Sequence, residues 1–165
     1  MATDLQSPFK QSVPIDLPNT DKIHIAIVVS KWNASITENL YNGAIKTLSE
    51  SGIPHSNITR YNVPGSFELI YGCKIAQLKR VQVVIAIGSV IRGETPHFHY
   101  ICQAVSLGIK DLNVLGKVPI IFCVLTDDTI KQAKERSGGK LGNKGIEAAR
   151  AAIEIAQFND IAQKK

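Results

Sequence analysis

The chain has 165 residues, of which 44% are hydrophobic and 20% are charged, and its formal net charge is +5. Its length and composition are typical of one globular domain and exclude a collagen, a coiled coil and a disordered chain. No hydrophobic run approaches the roughly 18 residues of a membrane span, no secretory or transit peptide pattern opens the chain, and aromatic residues do not alternate with basic ones, so we expect neither a membrane nor a nucleic-acid partner.

The first 20 residues contain Pro8, Pro14 and Pro18 and show no hydrophobic periodicity. This pattern predicts an extended N-terminal arm without a core of its own. We expect the arm, residues 1–20, to pack on a neighbouring subunit and to add to that subunit's sheet. Residues 21–165 are expected to form a single domain.

The rest of the chain alternates between short hydrophobic runs and amphipathic helical patterns. In chain order these patterns predict a strand at 22–30, a helix at 37–51, a strand at 57–63, a helix at 66–80, a strand at 81–87, a helix at 96–115, a strand at 118–125 and helices at 129–136 and 143–158. Gly88 is expected to end the third strand. Nearly continuous hydrophobic strands are typical of a parallel sheet covered on both faces. The predicted fold is therefore α/β: a three-layer α/β/α sandwich, flavodoxin-like, around a central parallel four-stranded sheet.

The three cysteines, Cys73, Cys102 and Cys123, are an odd number, include no CxxC pair and lie among hydrophobic residues. They predict buried free thiols in a reducing compartment, which favours a cytoplasmic protein. The scattered excess of basic residues suits an anionic small molecule.

Unusual residues follow three of the predicted strands, in the segments 30–33, 63–68 and 88–97. Ligands of open parallel sheets bind at the carboxyl ends of the strands, so these segments are expected to converge on one rim. In the third segment, Thr95 followed by Pro96 predicts a helix N-cap with proline at the first helical position. The free amides there, with Gly93 permitting close approach, would bind an anion. A helix N-terminus disfavours a protonated imidazole, so His97 is expected to be able to accept a proton. The alternative is a helix cap beside a surface histidine.

A metal site is a weaker interpretation of the same segment. Glu94, His97, His99 and Cys102 are residue types that zinc uses. Residues 97 and 99, two apart on a helix, point to different faces, which disfavours a shared metal ion.

Other candidate residues each have an ordinary structural alternative. Trp32 would stack on a planar heterocycle or pack on the following helix. Glu68 would accept hydrogen bonds from a ligand or favour a helix start, and Arg136 would bind a phosphate or end a helix. The chain has no Walker A motif, no GxGxxG and no GxSxG. The residues together indicate a planar polar ligand, an anion and one histidine, which suits a condensation or elimination assisted mainly by positioning.

Four segments carry a family resemblance: Trp32-Asn33, VPGSFE at 63–68, GSVIRGETPHF at 88–98 and RSGGKLGNKG at 136–145. They resemble the lumazine synthase (6,7-dimethyl-8-ribityllumazine synthase) family in order and spacing from about residue 22 to residue 158. The resemblance implies a cofactor-free, metal-free transferase of riboflavin biosynthesis. It would condense 5-amino-6-(D-ribitylamino)uracil with 3,4-dihydroxy-2-butanone 4-phosphate, through imine formation, phosphate elimination and ring closure.

The resemblance also implies roles for particular residues. His97 matches the general acid/base, and Phe122 and Lys144 match positions that line the site from an adjacent subunit. The phosphate-binding positions are Gly93, Glu94, Thr95 and Arg136. The positions that bind ribitylaminouracil are Trp32, Asn33, Ser66, Phe67, Glu68, Ser89, Val90, Ile91, Phe122 and Lys144. His99 departs from the family, which usually has an acidic residue there, and is expected to change hydrogen bonding to His97 or Arg136.

The implied partners are small-molecule substrates and further copies of the chain. The family forms homo-oligomeric pentamers, and the short segment 137–142 favours members that assemble pentamers into an icosahedral cage; an association with riboflavin synthase also follows. Three other interpretations stay open: a flavin- or pterin-binding module without turnover, a structural shell protein, and a flavodoxin-like nucleotide binder.

Overall fold

The computed structural model describes residues 20–163 of the chain, so the predicted arm lies outside the described residues except for Thr20. Thr20 is buried and opens a short 3₁₀ turn, Thr20–Lys22. The strands and helices that follow are β1 Ile25–Ser30, α1 Ala34–Glu50, β2 Ile58–Val63, α2 Leu69–Ala76, β3 Val83–Ile91, α3 His97–Leu115, β4 Ile120–Asp127, α4 Ile130–Arg136, β5 Ser137–Gly139, β6 Gly142–Asn143 and α5 Lys144–Gln163. The predicted α/β fold is confirmed.

The central sheet has four parallel strands in the order β2-β1-β3-β4. Successive side chains of a strand point to opposite faces. In β1, Ile25, Ile27 and Val29 pack into the core shared with α1 and α5, whereas Ala26 and Val28 pack into the core shared with α2 and α3. Both sets are fully buried. Helices therefore cover both faces, which explains why nearly every position of the strand is hydrophobic.

The third strand is longer than predicted. It continues through Gly88 to Ile91, which pairs with Asp127 of β4. A Cβ at Gly88 would lie 2.8 Å from Leu69 Cδ1 and 2.8 Å from Ser66 Oγ. This glycine lets the strand pass close to the start of α2 rather than ending the strand.

Other boundaries shift by a few residues, and the glycine-rich segment before α5 is structured. The first helix begins at Ala34 and the second spans only Leu69–Ala76. The segment 137–142, predicted as a plain separator, forms the antiparallel hairpin of β5 and β6. The hairpin delivers Lys144 to the first position of α5.

The outer strand β2 is fastened to α1 by an ion pair. Arg60 Nη1 donates to Glu38 Oε2 at 2.9 Å, Nη2 also donates to this carboxylate, and the guanidinium lies 4.2 Å from the centroid of the Tyr41 ring. The hydrogen bond from Arg60 holds the pKa of the Glu38 carboxyl below its usual value. An arginine that donates two hydrogen bonds to one carboxylate is held in a more defined geometry than an arginine with a single exposed contact.

The thiols fit the sequence prediction at two of three positions. Cys73 and Cys123 are buried, and burial raises the pKa of each to about 12. Cys102 is only half-buried. Within residues 20–163, none of the helices combines the length and hydrophobicity needed to cross a membrane.

Candidate active site

A cleft of about 690 Å³ opens at the carboxyl edge of the sheet. Its walls come from the segments that follow β1 and β2, from the end of β3 and from the first turns of α3. The lining residues are Trp32, Asn33, Gly65, Ser66, Phe67, Glu68, Ser89, Val90, Ile91, His97 and Ile101. The predicted convergence of three segments on one rim is confirmed.

Main-chain hydrogen bonds hold the first two of these segments side by side. Lys31 N donates to Val63 O at 2.9 Å, and Trp32 N donates to Pro64 O at 3.2 Å. Asn33 then turns the chain into α1 with φ 55° and ψ 47°, a left-handed conformation that asparagine tolerates better than most residues. The mouth of the cleft is therefore built on backbone contacts and not on side chains alone.

The indole of Trp32 forms an exposed wall of the cleft. It is 71% exposed, so the alternative in which this residue packs on the following helix is wrong. A Cβ at Gly65 would lie 3.3 Å from Trp32 Cδ1 and 2.9 Å from Glu68 Oε2, so the missing side chain makes room for both. With Phe67 51% exposed nearby in sequence, the cleft offers aromatic surface and a carboxylate to one ligand.

The floor of the cleft carries two buried hydroxyls. Ser66 is 6% exposed and Ser89 is 2% exposed. Among the described residues, neither Oγ atom has a hydrogen-bond partner. Buried hydroxyls are normally hydrogen-bonded, so these two are suited to a polar ligand edge.

His97 is the first residue of α3 and faces the cleft. The predicted cap is wrong in detail: Pro96, not Thr95, is the residue before the helix, and no side chain accepts a capping hydrogen bond there. His99 N donates to Pro96 O at 3.0 Å, closing the first turn. The first amides of the helix therefore have no side-chain cap, as an anion site at a helix N-terminus requires.

A side-chain network braces the segment that precedes this helix. Arg92 Nε donates to Asp128 Oδ1 at 2.5 Å, and its main-chain N donates to Asp127 O at 3.0 Å. The Arg92 guanidinium lies 4.3 Å from the centroid of the buried Phe98 ring. Its Nη1 lies 2.8 Å from His99 Nε2, which must accept because a guanidinium only donates. In the described structure the side-chain partner of His99 is therefore Arg92.

Several predicted site residues lie outside the cleft. Gly93, Glu94 and Thr95 are exposed on the segment between β3 and α3 and are not among the lining residues. The others, Phe122, Arg136 and Lys144, lie at or beside the edge strand β4.

The surroundings of Phe122, Arg136 and Lys144 differ from those of the cleft residues. Phe122 is 40% exposed on β4. Arg136 Nη1 is 3.6 Å from Asp127 Oδ1, and Lys144 Nζ is 2.7 Å from Glu147 Oε1. Cys123 Sγ donates to Lys144 O at 3.6 Å, which puts Lys144 alongside β4. One group of predicted site residues therefore lies in the cleft, and another lies at or beside β4.

Two lining residues were not predicted, Gly65 and Ile101. Gly65 lies inside the VPGSFE segment and could have been chosen with its neighbours. Ile101 follows His97 by one helical turn and so shares its side of α3. Within residues 20–163, no group of three or more His, Cys, Asp or Glu side chains could hold a metal ion.

The open parallel sheet and the cleft at its carboxyl edge define an α/β protein whose cleft lies where parallel sheets of this kind bind ligands. The family profile described as 6,7-dimethyl-8-ribityllumazine synthase matches residues 22–160, and the chain belongs to this enzyme family of riboflavin biosynthesis. Three of the similar proteins of that name serve as examples. The chain is 54% identical to the protein of Christiangramia forsetii over 144 residues, 86% of both chains. It is 55% identical to that of Flavobacterium johnsoniae over 141 residues (85% of this chain and 74% of the relative), and 53% identical to that of Porphyromonas gingivalis over 146 residues (88% and 91%).

Proposed function

We propose that this chain condenses 5-amino-6-(D-ribitylamino)uracil with 3,4-dihydroxy-2-butanone 4-phosphate to 6,7-dimethyl-8-ribityllumazine, phosphate and water. The observation that carries the proposal is the composition of the cleft: an exposed indole, two buried hydroxyls and a histidine line one space. A pyrimidine with a polyhydroxyl chain needs a flat aromatic wall and hydrogen-bonding groups. An imine condensation needs a group that moves protons.

The uracil would stack on Trp32, the only tryptophan of the chain. The ribityl hydroxyls would meet Glu68 and the segment around Ser66, while the end of β3 at Ser89–Ile91 would bind the pyrimidine edge through its backbone. These assignments rest on the family resemblance and agree with the position of each residue along the cleft.

His97 would act as general acid/base at the reacting amine and ketone. The amine of the uracil attacks the ketone carbonyl, a proton moves to the carbonyl oxygen, and water leaves as the imine forms. Phosphate is then eliminated, and the enol that remains tautomerises to a second carbonyl. The ribityl-bearing nitrogen attacks this carbonyl and closes the ring as a second water leaves. Most of the acceleration would come from holding the two substrates together, because orientation alone converts a slow bimolecular step into a fast one.

The catalytic unit would be an oligomer, because Phe122, Arg136 and Lys144 lie along β4 and not in the cleft of their own chain. A second copy placed against a neighbour's cleft would bring its phosphate-binding Arg136 to the Gly93–Glu94–Thr95 segment. We propose a pentamer, assembled further into an icosahedral cage, that works in the cytoplasm and associates with riboflavin synthase.

The activity test follows lumazine fluorescence when purified protein meets both substrates. We expect acceleration over the uncatalysed background, and we expect it to disappear when a ketone without phosphate replaces the butanone phosphate. A folded oligomer that gives no acceleration would overturn the proposed reaction and favour a flavin-binding or shell-forming relative.

The shared site is tested by mixing two variants of reduced activity. His97→Ala damages the cleft, and Arg136→Ala damages the group of residues beside β4. If one site uses both from different copies, oligomers formed from the two variants together contain some intact sites and regain part of the activity. Arginine and histidine acting from the same copy would give no recovery.

A further inference from the structure

Asp127 is a buried carboxylate that the proposed reaction does not use. It ends β4 beside Ile91 of β3 and is 6% exposed. Its Oδ1 lies 3.6 Å from Arg136 Nη1, and its Oδ2 is buried with no hydrogen-bond partner among the described residues. Burying a charged carboxylate is costly unless its oxygens are satisfied, so a role beyond packing is needed to account for it.

The guanidinium of Arg136, which faces Asp127, is held through Nη1. Arg136 ends α4, and its Nη1 donates to Gln132 O at 3.1 Å. Nη1 is also the atom that faces Asp127. In the hydrogen bonds of the described residues Nε and Nη2 are not used, so one side of the planar fork is available to a phosphate while the other is restrained.

The neighbouring carboxylate serves a different arginine. Asp128 Oδ1 accepts from Arg92 Nε, whereas Asp127 accepts from the same residue only through its main-chain oxygen. Two adjacent carboxyl groups at the end of β4 thus each face a separate guanidinium. Asp127 is the buried one of the two, and it faces the predicted phosphate-binding arginine.

We infer that Asp127 is a positioning residue that holds the Arg136 guanidinium with its free side toward the substrate phosphate. This role rests on the proposed function, since it acts through Arg136 on the phosphate-bearing substrate. It differs from a contribution to folding, because it predicts an effect on one substrate and not on the other.

The test combines Asp127→Asn with Arg136→Ala in a double-mutant cycle. The asparagine keeps the size of the side chain and removes its charge. We expect Asp127→Asn to raise the KM for the butanone phosphate by about three- to tenfold, the range of a single positioned ion pair, with the KM for ribitylaminouracil and the kcat at saturation unchanged. In the Arg136→Ala background the same substitution is expected to change nothing further, since its target is gone.

Asp111→Asn is the matched control. It makes the same carboxyl-to-amide change at an exposed residue of α3 that pairs with Lys110, near the opposite end of that helix from His97. It is expected to leave both KM values as they are. Calorimetric binding of inorganic phosphate to each variant supplies a second readout that does not depend on turnover.

The outcomes separate the two proposals. If Arg136→Ala weakens use of the butanone phosphate but Asp127→Asn leaves it unchanged or tightens it, the role of Asp127 is overturned and the proposed function stands. An Asp127→Asn effect that persists without Arg136 identifies a structural residue and also overturns the role. If Arg136→Ala leaves phosphate binding and the KM unchanged, the assignment of Arg136 fails, and the role of Asp127 fails with it.

Discussion

The side-chain amide of Asn33 donates to the carbonyl oxygen of Ser89 at 3.0 Å, so the segment after β1 is fastened to the last part of β3. Both residues line the cleft. The carbonyl that accepts this bond belongs to the same strand end that is proposed to bind the pyrimidine. Asn33 therefore sets the position of two walls of the cleft at once.

Substitution of Asn33 is expected to separate its backbone role from its hydrogen bond. Asn33→Ala loses the hydrogen bond and places alanine at a positive φ, a conformation that alanine tolerates less well than asparagine. Together these two effects are expected to lower the free energy of unfolding by about 2 kcal/mol. Asn33→Gly loses the bond but tolerates the conformation, so it is expected to cost about half as much. Melting midpoints at one protein concentration measure both, with Asn39→Ala on the exposed side of α1 as the control. A glycine variant that melts lower than the alanine variant would contradict this order.

The two proposed catalytic contributions differ in size. His97→Ala is expected to fold and to lower kcat by about 10²–10⁴-fold, with turnover still measurable, because positioning survives the loss of the acid/base. Arg136→Ala is expected to lower kcat/KM further, since it loses the phosphate clamp. His55→Ala and Arg80→Ala are the controls. They make the same substitutions before β2 and before β3, at the amino edge of the sheet and away from the cleft. Unchanged turnover in His97→Ala would remove its assignment, and equal affinity for the butanone phosphate would remove that of Arg136.

The fold was predictable because its signals are local. Continuous hydrophobic strands such as Ile25–Ser30 can be buried on both faces in few ways, and the helical patterns alternate with them. The strand end at Gly88 was mispredicted because a glycine that relieves crowding against Leu69 resembles one that breaks a strand.

The site was predictable in outline for a similar reason. Parallel strands align their carboxyl ends, so loops distant in sequence meet without knowledge of side-chain contacts. Partner choice was not predictable. The contact of Arg92 with His99 and the pairing of Asp127 with Arg136 depend on how two loops lie in space, and residue types alone allowed other pairs.

Because Trp32 is the only tryptophan and lines the cleft, its fluorescence reports on the ligand proposed to stack there. Ribitylaminouracil is expected to quench the emission saturably, since its ring would cover the exposed indole face. Inorganic phosphate alone is expected to leave the emission unchanged. Trp32→Phe, which keeps a flat ring, should retain most of the turnover. Quenching by phosphate alone, or none by ribitylaminouracil, would contradict the proposed stacking.

The pair of Glu38 with Arg60 predicts a loss of stability in acid. The hydrogen bond from Arg60 lowers the pKa of Glu38 in the folded protein, so the unfolded chain binds the proton more tightly. The stabilisation is complete above the ordinary value of 4.5 and is lost as the pH falls through the lowered value. Glu38→Gln is expected to melt below the unsubstituted protein at pH 7, and the difference should vanish in strong acid. Glu50→Gln, which removes a carboxylate paired with Lys46 at 3.8 Å on the exposed end of α1, should have a smaller effect at either pH. A gap that widens in acid would contradict the sign.

Asp127 predicts the opposite dependence. Burial raises the pKa of its carboxyl, while Arg136 lowers it and Asp128 raises it, so the folded protein binds this proton more tightly than the unfolded chain. Stability is therefore lost as the pH rises from the ordinary value of 3.8 through the raised value, and it stays lost at pH 7. Asp127→Asn has no such charge to bury and is expected to melt at or above the unsubstituted protein at pH 7, with the two midpoints converging below pH 3.8. Melting curves across this pH range measure the difference in midpoint between Asp127→Asn and the unsubstituted protein, in which the titration of all other groups cancels. Asp111→Asn is measured alongside as the control. A variant that melts well below the unsubstituted protein at pH 7 would mean that contact with Arg136 outweighs the cost of burial. The opposite result, together with weaker phosphate binding, would mark Asp127 as a residue retained for the site at the expense of stability.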